Sequence, residues 1–274
     1  MKLTEHEFAA LTGFIQRNYG INLGRKKELV ESRLFGLLSR RGYQSFSEYM
    51  NHVRSDRSGE EMANLLNLIT TNHTFFFREP RHFEFMSGEV LPWLANNVPS
   101  RDLRIWSAGC STGEEAYTLA MVLDRFFGSR SVSWDTQILG TDISTRAIRH
   151  AQEGCYSGQS ISQMPADMLR RYFEHIGSDR FRVCERIRSQ VIFRRFNLMA
   201  REFPFRRKFH VIFCRNVMIY FDQPTKNALV NRFYEMTEPG GYLFIGHSEA
   251  LEREETMYRY IMPAVYRKPA GILQ

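Results

Sequence analysis

The sequence predicts an α/β chain: a doubly wound, mostly parallel sheet with helices on both faces, preceded by a small all-helical domain. Three observations lead there. Up to about residue 70, apolar residues recur at helical spacing. From about residue 100, short apolar runs alternate with helical stretches, as they do where crossover helices join parallel strands. Between Asp142 and Val191 lie 48 residues, far more than one crossover helix needs, so an insertion is predicted there.

Phe8, Leu11, Ile15 and Tyr19 recur at steps of three or four and mark one face of a first helix. Gly20 to Gly24 makes a turn. The next helix, Lys26 to Arg41, places Val30, Leu34, Leu37 and Leu38 on one side. Lys26, Arg33 and Arg40, seven apart, form a basic stripe along its flank, and Gly42 stands where a C-terminal cap belongs. Further helices are predicted at Ser45 to Arg54 and Glu60 to Thr70. Strands are predicted at Leu103 to Ala108, Thr136 to Thr141, Val191 to Phe196, His210 to Cys214 and Tyr242 to Ile245, with a last one at Ala264 to Arg267. Helices are predicted at Glu114 to Phe127 and, with Pro224 in its first turn, at Pro224 to Met236. Pro239-Gly240-Gly241 reads as a turn, and Phe181 to Ile187 as an extra strand of the insertion.

The 274 residues are 43% hydrophobic and 24% charged, ordinary values for a globular chain and unlike those of a disordered one. No apolar run reaches the ~20 residues that cross a bilayer, and Met1 to Ala10 has no signal core, so a cytoplasmic location is expected. Cys110, Cys155, Cys184 and Cys214 are scattered, which predicts reduced thiols, no disulfide frame and no metal site. The net charge of +7 is uneven: Arg170 to Arg215 holds 13 basic and four acidic residues. Nucleic acid, anionic lipid and an acidic protein are the candidate partners, and a solvated surface without a partner is the alternative.

In a doubly wound sheet, ligands lie beyond the carboxyl ends of the strands. The first strand runs into Gly109-Cys110-Ser111-Thr112-Gly113-Glu114-Glu115, where glycines permit close backbone approach, although a plain turn would use them too. Neither Gly-x-Gly-x-x-Gly nor Gly-Lys-Ser/Thr is present, and two acids at a helix start repel a pyrophosphate. Asp142, ending the second strand, is placed to accept hydrogen bonds from a ribose, or else a helix cap is formed there by Asp142 or Ser144. A ribose acid without phosphate chemistry points to S-adenosylmethionine (SAM), whose other groups are an ammonium, a carboxylate and a sulfonium. Arg215-Asn216, after the fourth strand, need hydrogen-bond partners, from a ligand or from nearby loop backbone.

The motifs resemble those of the CheR family of chemotaxis receptor methyltransferases. The resemblance covers nearly the whole chain. It rests on Thr71-Asn72-x-Thr74-x-Phe76-Phe77-Arg78, Ser111-Thr112-Gly113-Glu114-Glu115-x-Tyr117, Thr141-Asp142-Ile143, Phe196-Asn197-Leu198, Cys214-Arg215-Asn216-Val217-Met218-Ile219-Tyr220-Phe221 and Gly246-His247-Ser248-Glu249. It implies an N-terminal helical domain (1–58), a linker helix (59–70) and a SAM-dependent methyltransferase domain (71–274) with an inserted antiparallel β-subdomain at about 155–190. The implied reaction is methyl transfer from SAM to glutamate side chains of chemoreceptors, with S-adenosylhomocysteine as co-product. The implied SAM contacts are Asn72, Thr74, Arg78, Glu115, Asp142, Asn197, Leu198, Arg215 and Asn216, with Arg78 and Tyr220 near the transferred methyl. The segment Glu174 to Arg182 is shorter than in members that dock on a receptor's C-terminal pentapeptide, which resembles the pentapeptide-independent branch. The expected partners are the cytoplasmic methylation helices of chemoreceptors, met by a monomer, with Lys26, Arg33 and Arg40 facing their glutamates. The competing readings are a SAM-dependent nucleic-acid methyltransferase, which the basic stretch favours, and a non-catalytic SAM-sensing adaptor.

Overall fold

The computed structural model describes residues 3–24, 26–70 and 73–271. The helical domain contains α1 (Glu5–Tyr19), α2 (Lys27–Arg41), α3 (Phe46–Ser55) and α4 (Glu60–Ile69). The Thr4 hydroxyl accepts from the Glu7 amide, and the Glu7 carboxylate accepts from the Thr4 amide, so two orphan donors of α1 are satisfied reciprocally. Gly20 and Gly42 end α1 and α2 at φ 73° and 75°, in the left-handed conformation that lets a helix stop without a Cβ clash.

After α5 (Pro80–Phe85) and α6 (Leu91–Asn97), joined by one turn of π-helix, the chain enters the sheet. Its first units are β1 (Ile105–Ala108), α7 (Glu114–Phe127), β2 (Ile138–Asp142) and α8 (Thr145–Glu153). The insertion follows, with β3 (Cys155–Ser157), α9 (Gly158–Ile161), α10 (Ala166–Tyr172), β4 (Phe173–His175), β5 (Arg180–Val183) and α11 (Glu185–Arg188). Then come β6 (Val191–Arg195), β7 (Phe209–Cys214), α12 (Gln223–Met236), β8 (Thr237–Ile245), β9 (Arg259–Met262) and β10 (Val265–Arg267). The large sheet has the order β6-β2-β1-β7-β8-β10-β9, parallel from β6 to β8 and antiparallel at β8, β10 and β9. The small sheet, β3-β5-β4, is antiparallel. The chain builds outward from β1 to β6 and then returns to β7 on the other side of β1. The crevice at that reversal is where such sheets bind ligands.

Two predicted segments differ. Pro239-Gly240-Gly241 is the interior of β8, with Gly240 at φ 79° and a register shift against β7 between Phe209 and Val211. The glycines serve a bulge within a strand, which sequence alone does not distinguish from a turn. Phe181 to Ile187 is strand only to Val183, and α11 follows. The edge strand β9, with Tyr260 and Ile261 exposed, carries no period-two burial and escapes a pattern search.

Each face of the sheet has its own core. One gathers Phe83, Leu94, Leu119, Phe213 and Phe244 with Tyr172 and Val183 of the insertion. The other runs continuously from Leu11, Ile15, Leu34 and Leu65 of the helical domain to Trp106, Ile212, Leu243 and Phe233. The helical domain therefore packs as a cover on the sheet. Polar ties fix it: Asn22 N–H donates to the Tyr220 carbonyl (2.7 Å), and Gln16 Nε2 donates to Asp222 Oδ2 (2.7 Å).

The insertion is held by Asp124 on α7, whose carboxylate is only 5% exposed. It accepts from Tyr172 Oη (2.9 Å), Arg171 Nη2 (3.2 Å) and Arg186. A buried carboxylate needs such partners to offset its lost hydration. Asp124→Ala is therefore expected to cost about 1–3 kcal/mol and to speed amide exchange in β4 and β5 while β1, β2 and β7 stay protected. Unchanged exchange in the small sheet would show that Asp124 does not anchor it.

Candidate active site

A cavity opens at the carboxyl ends of β1, β2, β6 and β7. Its lining includes Thr74, Arg78, Gly109, Ser111, Glu115, Asp142, Asn197, Leu198, Arg215, Asn216 and Tyr220. Eight of the nine predicted SAM contacts thus meet in one place, with both residues predicted near the methyl. The ninth, Asn72, lies outside the described residues. Tyr19, Ile21, Leu66, Asn67 and Thr70 close the cavity from the helical side. Thr70 adjoins the Thr71 to Arg78 motif; no local motif announces the other four, because they reach the cavity only through docking of the helices on the sheet.

Gly109 sits at φ 94°, and a Cβ there would stand 2.5 Å from Val217 Cγ2. Its amide donates to the Thr141 carbonyl (2.8 Å), which ties the β1 turn to the end of β2. Asp142 uses both oxygens on backbone: Oδ2 accepts from Ser111 N–H and Oδ1 from Ser144 N–H, each at 2.9 Å. Burial pushes its carboxyl above the usual range, against those hydrogen bonds. The helix cap itself is Ser144, which accepts from the Ala147 amide at α8.

Glu115 Oε1 accepts from Ser107 Oγ (2.7 Å), and its Oε2 from Arg215 Nη1 (3.2 Å). Burial raises its carboxyl although Arg215 opposes the shift. Glu114 turns away and accepts from Thr112 Oγ1 (2.7 Å). The Arg215 side chain is 2% exposed. It also pairs with Glu79 (3.2 Å), donates to the Arg78 carbonyl and lies 5.4 Å over the Phe83 ring. Arg78 Nη1 donates to the His73 carbonyl (2.6 Å). Asn197 Nδ2 donates to the Asn18 carbonyl (2.9 Å), a further tie to α1.

Asn216 takes φ 57°, and the turn from Asn216 to Tyr220 is held by Glu249. Glu249 accepts from the amides of Asn216 (3.0 Å), Gly246 (2.6 Å) and Ile219 (2.9 Å). The Gly-His-Ser-Glu motif gave a sequence signal for this residue without revealing its partners. With Glu115 and Asp142 as carboxylates and Arg78 as a cation, the cavity chemistry fits a ligand that carries a ribose, cationic groups and one carboxylate.

The three residues of the predicted basic stripe differ in exposure. Lys26 and Arg40 are exposed, but Arg33 is half-buried, with Nη1 donating to the carbonyls of Leu68 (3.3 Å) and Thr70 (3.0 Å) at the end of α4. None of the three lines the cavity.

Gly109→Ala is expected to cost about 1–3 kcal/mol of stability through overpacking and backbone strain. Val217→Ala in the same chain should restore only part of it, because the φ remains unfavourable. Equal melting temperatures for wild type and Gly109→Ala would refute the close contact.

The family model described as CheR methyltransferase, SAM binding domain, matches residues 72–266, and that described as CheR methyltransferase, all-alpha domain, matches residues 6–70. A chemotaxis protein methyltransferase of Borreliella burgdorferi is 42% identical over 272 residues, 98% of this chain and 96% of the relative. Chemotaxis protein methyltransferases of Pseudomonas putida (35%; 93% and 94% covered) and Escherichia coli (34%; 97% and 92% covered) are also similar. With both of its domain models matched in order and a relative alike from end to end, the chain belongs to the CheR methyltransferase family.

Proposed function

We propose that the protein transfers a methyl group from SAM to glutamate side chains on the cytoplasmic methylation helices of chemoreceptors, giving methyl esters, and that it does so without a receptor pentapeptide. The convergence of Arg78, Glu115, Asp142, Asn197, Arg215, Asn216 and Tyr220 on one cavity carries this reading.

SAM supplies an electrophilic methyl on a sulfonium. A glutamate carboxylate, with an ordinary pKa near 4.3, is already ionised at neutral pH, so no residue of the chain has to act as a general base. The task of the site is alignment, which can contribute roughly 7–11 kcal/mol. Asp142 would accept from ribose hydroxyls with the lone pairs left by Ser111 and Ser144. Glu115 would face the ammonium and Arg78 a carboxylate, while Tyr220 shapes the space around the methyl. Carboxylate and sulfonium charges would both vanish as the O–C bond forms and the S–C bond breaks, leaving neutral sulfur on S-adenosylhomocysteine, so water exclusion by Tyr19, Ile21 and Leu66 would favour the transfer.

The pentapeptide-independent reading is supported by the β4–β5 hairpin. Its connection, Ile176-Gly177-Ser178-Asp179, is closed by Arg180 N–H donating to the Gly177 carbonyl (3.0 Å). Tight binding of a receptor pentapeptide would overturn it. No helix among the described residues is long and apolar enough to cross a membrane.

Labelled SAM with receptors from the same cell should leave base-labile label on receptor glutamate; label on RNA would replace this reading with the nucleic-acid one. Tyr220→Phe should lower turnover about tenfold, equivalent to ~1.4 kcal/mol at the transition state; unchanged turnover would remove the hydroxyl from the mechanism. Asp142→Ala should weaken SAM binding by about 1.5–3 kcal/mol, seen by calorimetry. Because Asp142 is shifted upward, wild-type affinity should fall with decreasing pH earlier than an ordinary aspartate would dictate, as protonation removes an acceptor. Receptor affinity should fall with added salt, since the exposed Lys26 and Arg40 would meet acidic side chains through screened contacts.

A further inference from the structure

We infer that Glu79 is a positioning residue for SAM, orienting Arg215 and Asn216 from outside the set of predicted contacts; this rests on the SAM reading of the cavity. Glu79 stands at φ 59°, an unfavourable conformation for a residue with a side chain. That backbone turn aims its carboxylate at the end of β7. There Oε2 accepts from Arg215 Nε (3.4 Å) and the His247 amide (3.3 Å), while Oε1 accepts from Asn216 Nδ2 (3.4 Å). Burial alone would raise the carboxyl, but Arg215, helped by His247, holds it below the usual range and therefore ionised.

Arg215 lies between two carboxylates, Glu79 and Glu115. Glu115 faces the cavity, while Glu79 holds the guanidinium from behind. Glu115 and Glu79 share the guanidinium, each at 3.2 Å. Without Glu79, the guanidinium would pair with Glu115 alone and offset more of the negative charge that faces the ligand's ammonium.

Glu79, His82 and His247 also bring three donor atoms within 4.8 Å of one another, the residue types of a metal site. The lone pairs of Glu79, however, are directed at Arg215, Asn216 and the His247 amide. His82 is fully buried, its ring nitrogens have no hydrogen-bond partner, and its Nδ1 lies 3.5 Å from Glu79. Burial and then Arg215 push its pKa down to about 3, so it is neutral and does not compete with Arg215 for Glu79.

The experiment is a double-mutant cycle on SAM affinity with Glu79→Gln and Arg215→Gln, read by calorimetry beside melting temperatures and steady-state kinetics. Glu79→Gln keeps the shape and removes the charge. It should raise the Kd and KM for SAM about tenfold or more with a smaller change in kcat, and the double mutant should be weakened by less than the product of the two single effects. A lower melting temperature with SAM affinity unchanged, or strictly multiplicative effects, would overturn the role. If Glu79→Gln does not fold, Glu79→Asp, which retains the charge but withdraws it by one methylene, gives the same reading: weaker SAM binding supports the role and unchanged binding refutes it. A wild-type protein that fails to bind SAM would instead refute the SAM reading itself.

Discussion

The buried Arg215 guanidinium is the constraint on which the candidate active site depends. An ion taken out of water is tolerated only if its donors are met and its charge balanced. Arg215 is met by Glu79, Glu115 and the Arg78 carbonyl. These come from two places in the chain, the segment before α5 and the first turn of α7, and Arg215 itself brings a third, the end of β7. Satisfying one side chain therefore fixes the mutual position of the segments that line the cavity. Glu249 acts similarly one turn further on, where three backbone amides converge on one carboxylate. Burial raises that carboxyl, against the amides that favour its charged form.

The helical domain is part of the cavity wall. Its apolar faces share one core with Trp106, Ile212 and Phe233, and its own residues wall the cavity. An α/β sheet offers the crevice but leaves it open to water. The helices close it, and ties such as Asn22 to Tyr220 and Asn197 to Asn18 couple the cover to the site. For the proposed reaction, in which opposite charges disappear, exclusion of water would favour the transfer.

The positive charge of the chain has two different uses. Much of the dense stretch from Arg170 to Arg215 is engaged within the protein: Arg171 and Arg186 at Asp124, Arg188 at Glu185, Arg207 at Asp102 and Arg215 in the site. Arg195 donates to the carbonyls of Ser58 and Ile143, joining the helical domain to the sheet. Others, such as Arg170, Arg180, Arg201 and Arg206, are exposed and contribute to the surface field. A cluster of basic residues in sequence is therefore a poor measure of the charge offered to a partner.

What the sequence alone determined is local or periodic. Helix spacing marked α1 and α2, with a glycine cap at the end of α2, apolar runs marked β1, β2, β6 and β7, and the excess length before Val191 marked the insertion. These follow from 3.6- and 2-residue periods and from glycine's access to positive φ, which need no knowledge of distant neighbours. The site motifs were legible as separate strings at strand ends. What only the tertiary structure decided is which atoms meet: Arg215 between two carboxylates, Glu249 under the turn of Tyr220, Arg33 against the end of α4 rather than wholly in solvent, and Tyr19 and Leu66 on the cavity wall. Those outcomes depend on burial, because a buried charge or amide takes whichever partner the packing of remote segments brings within hydrogen-bond reach. Spacing along the chain carries no record of that choice.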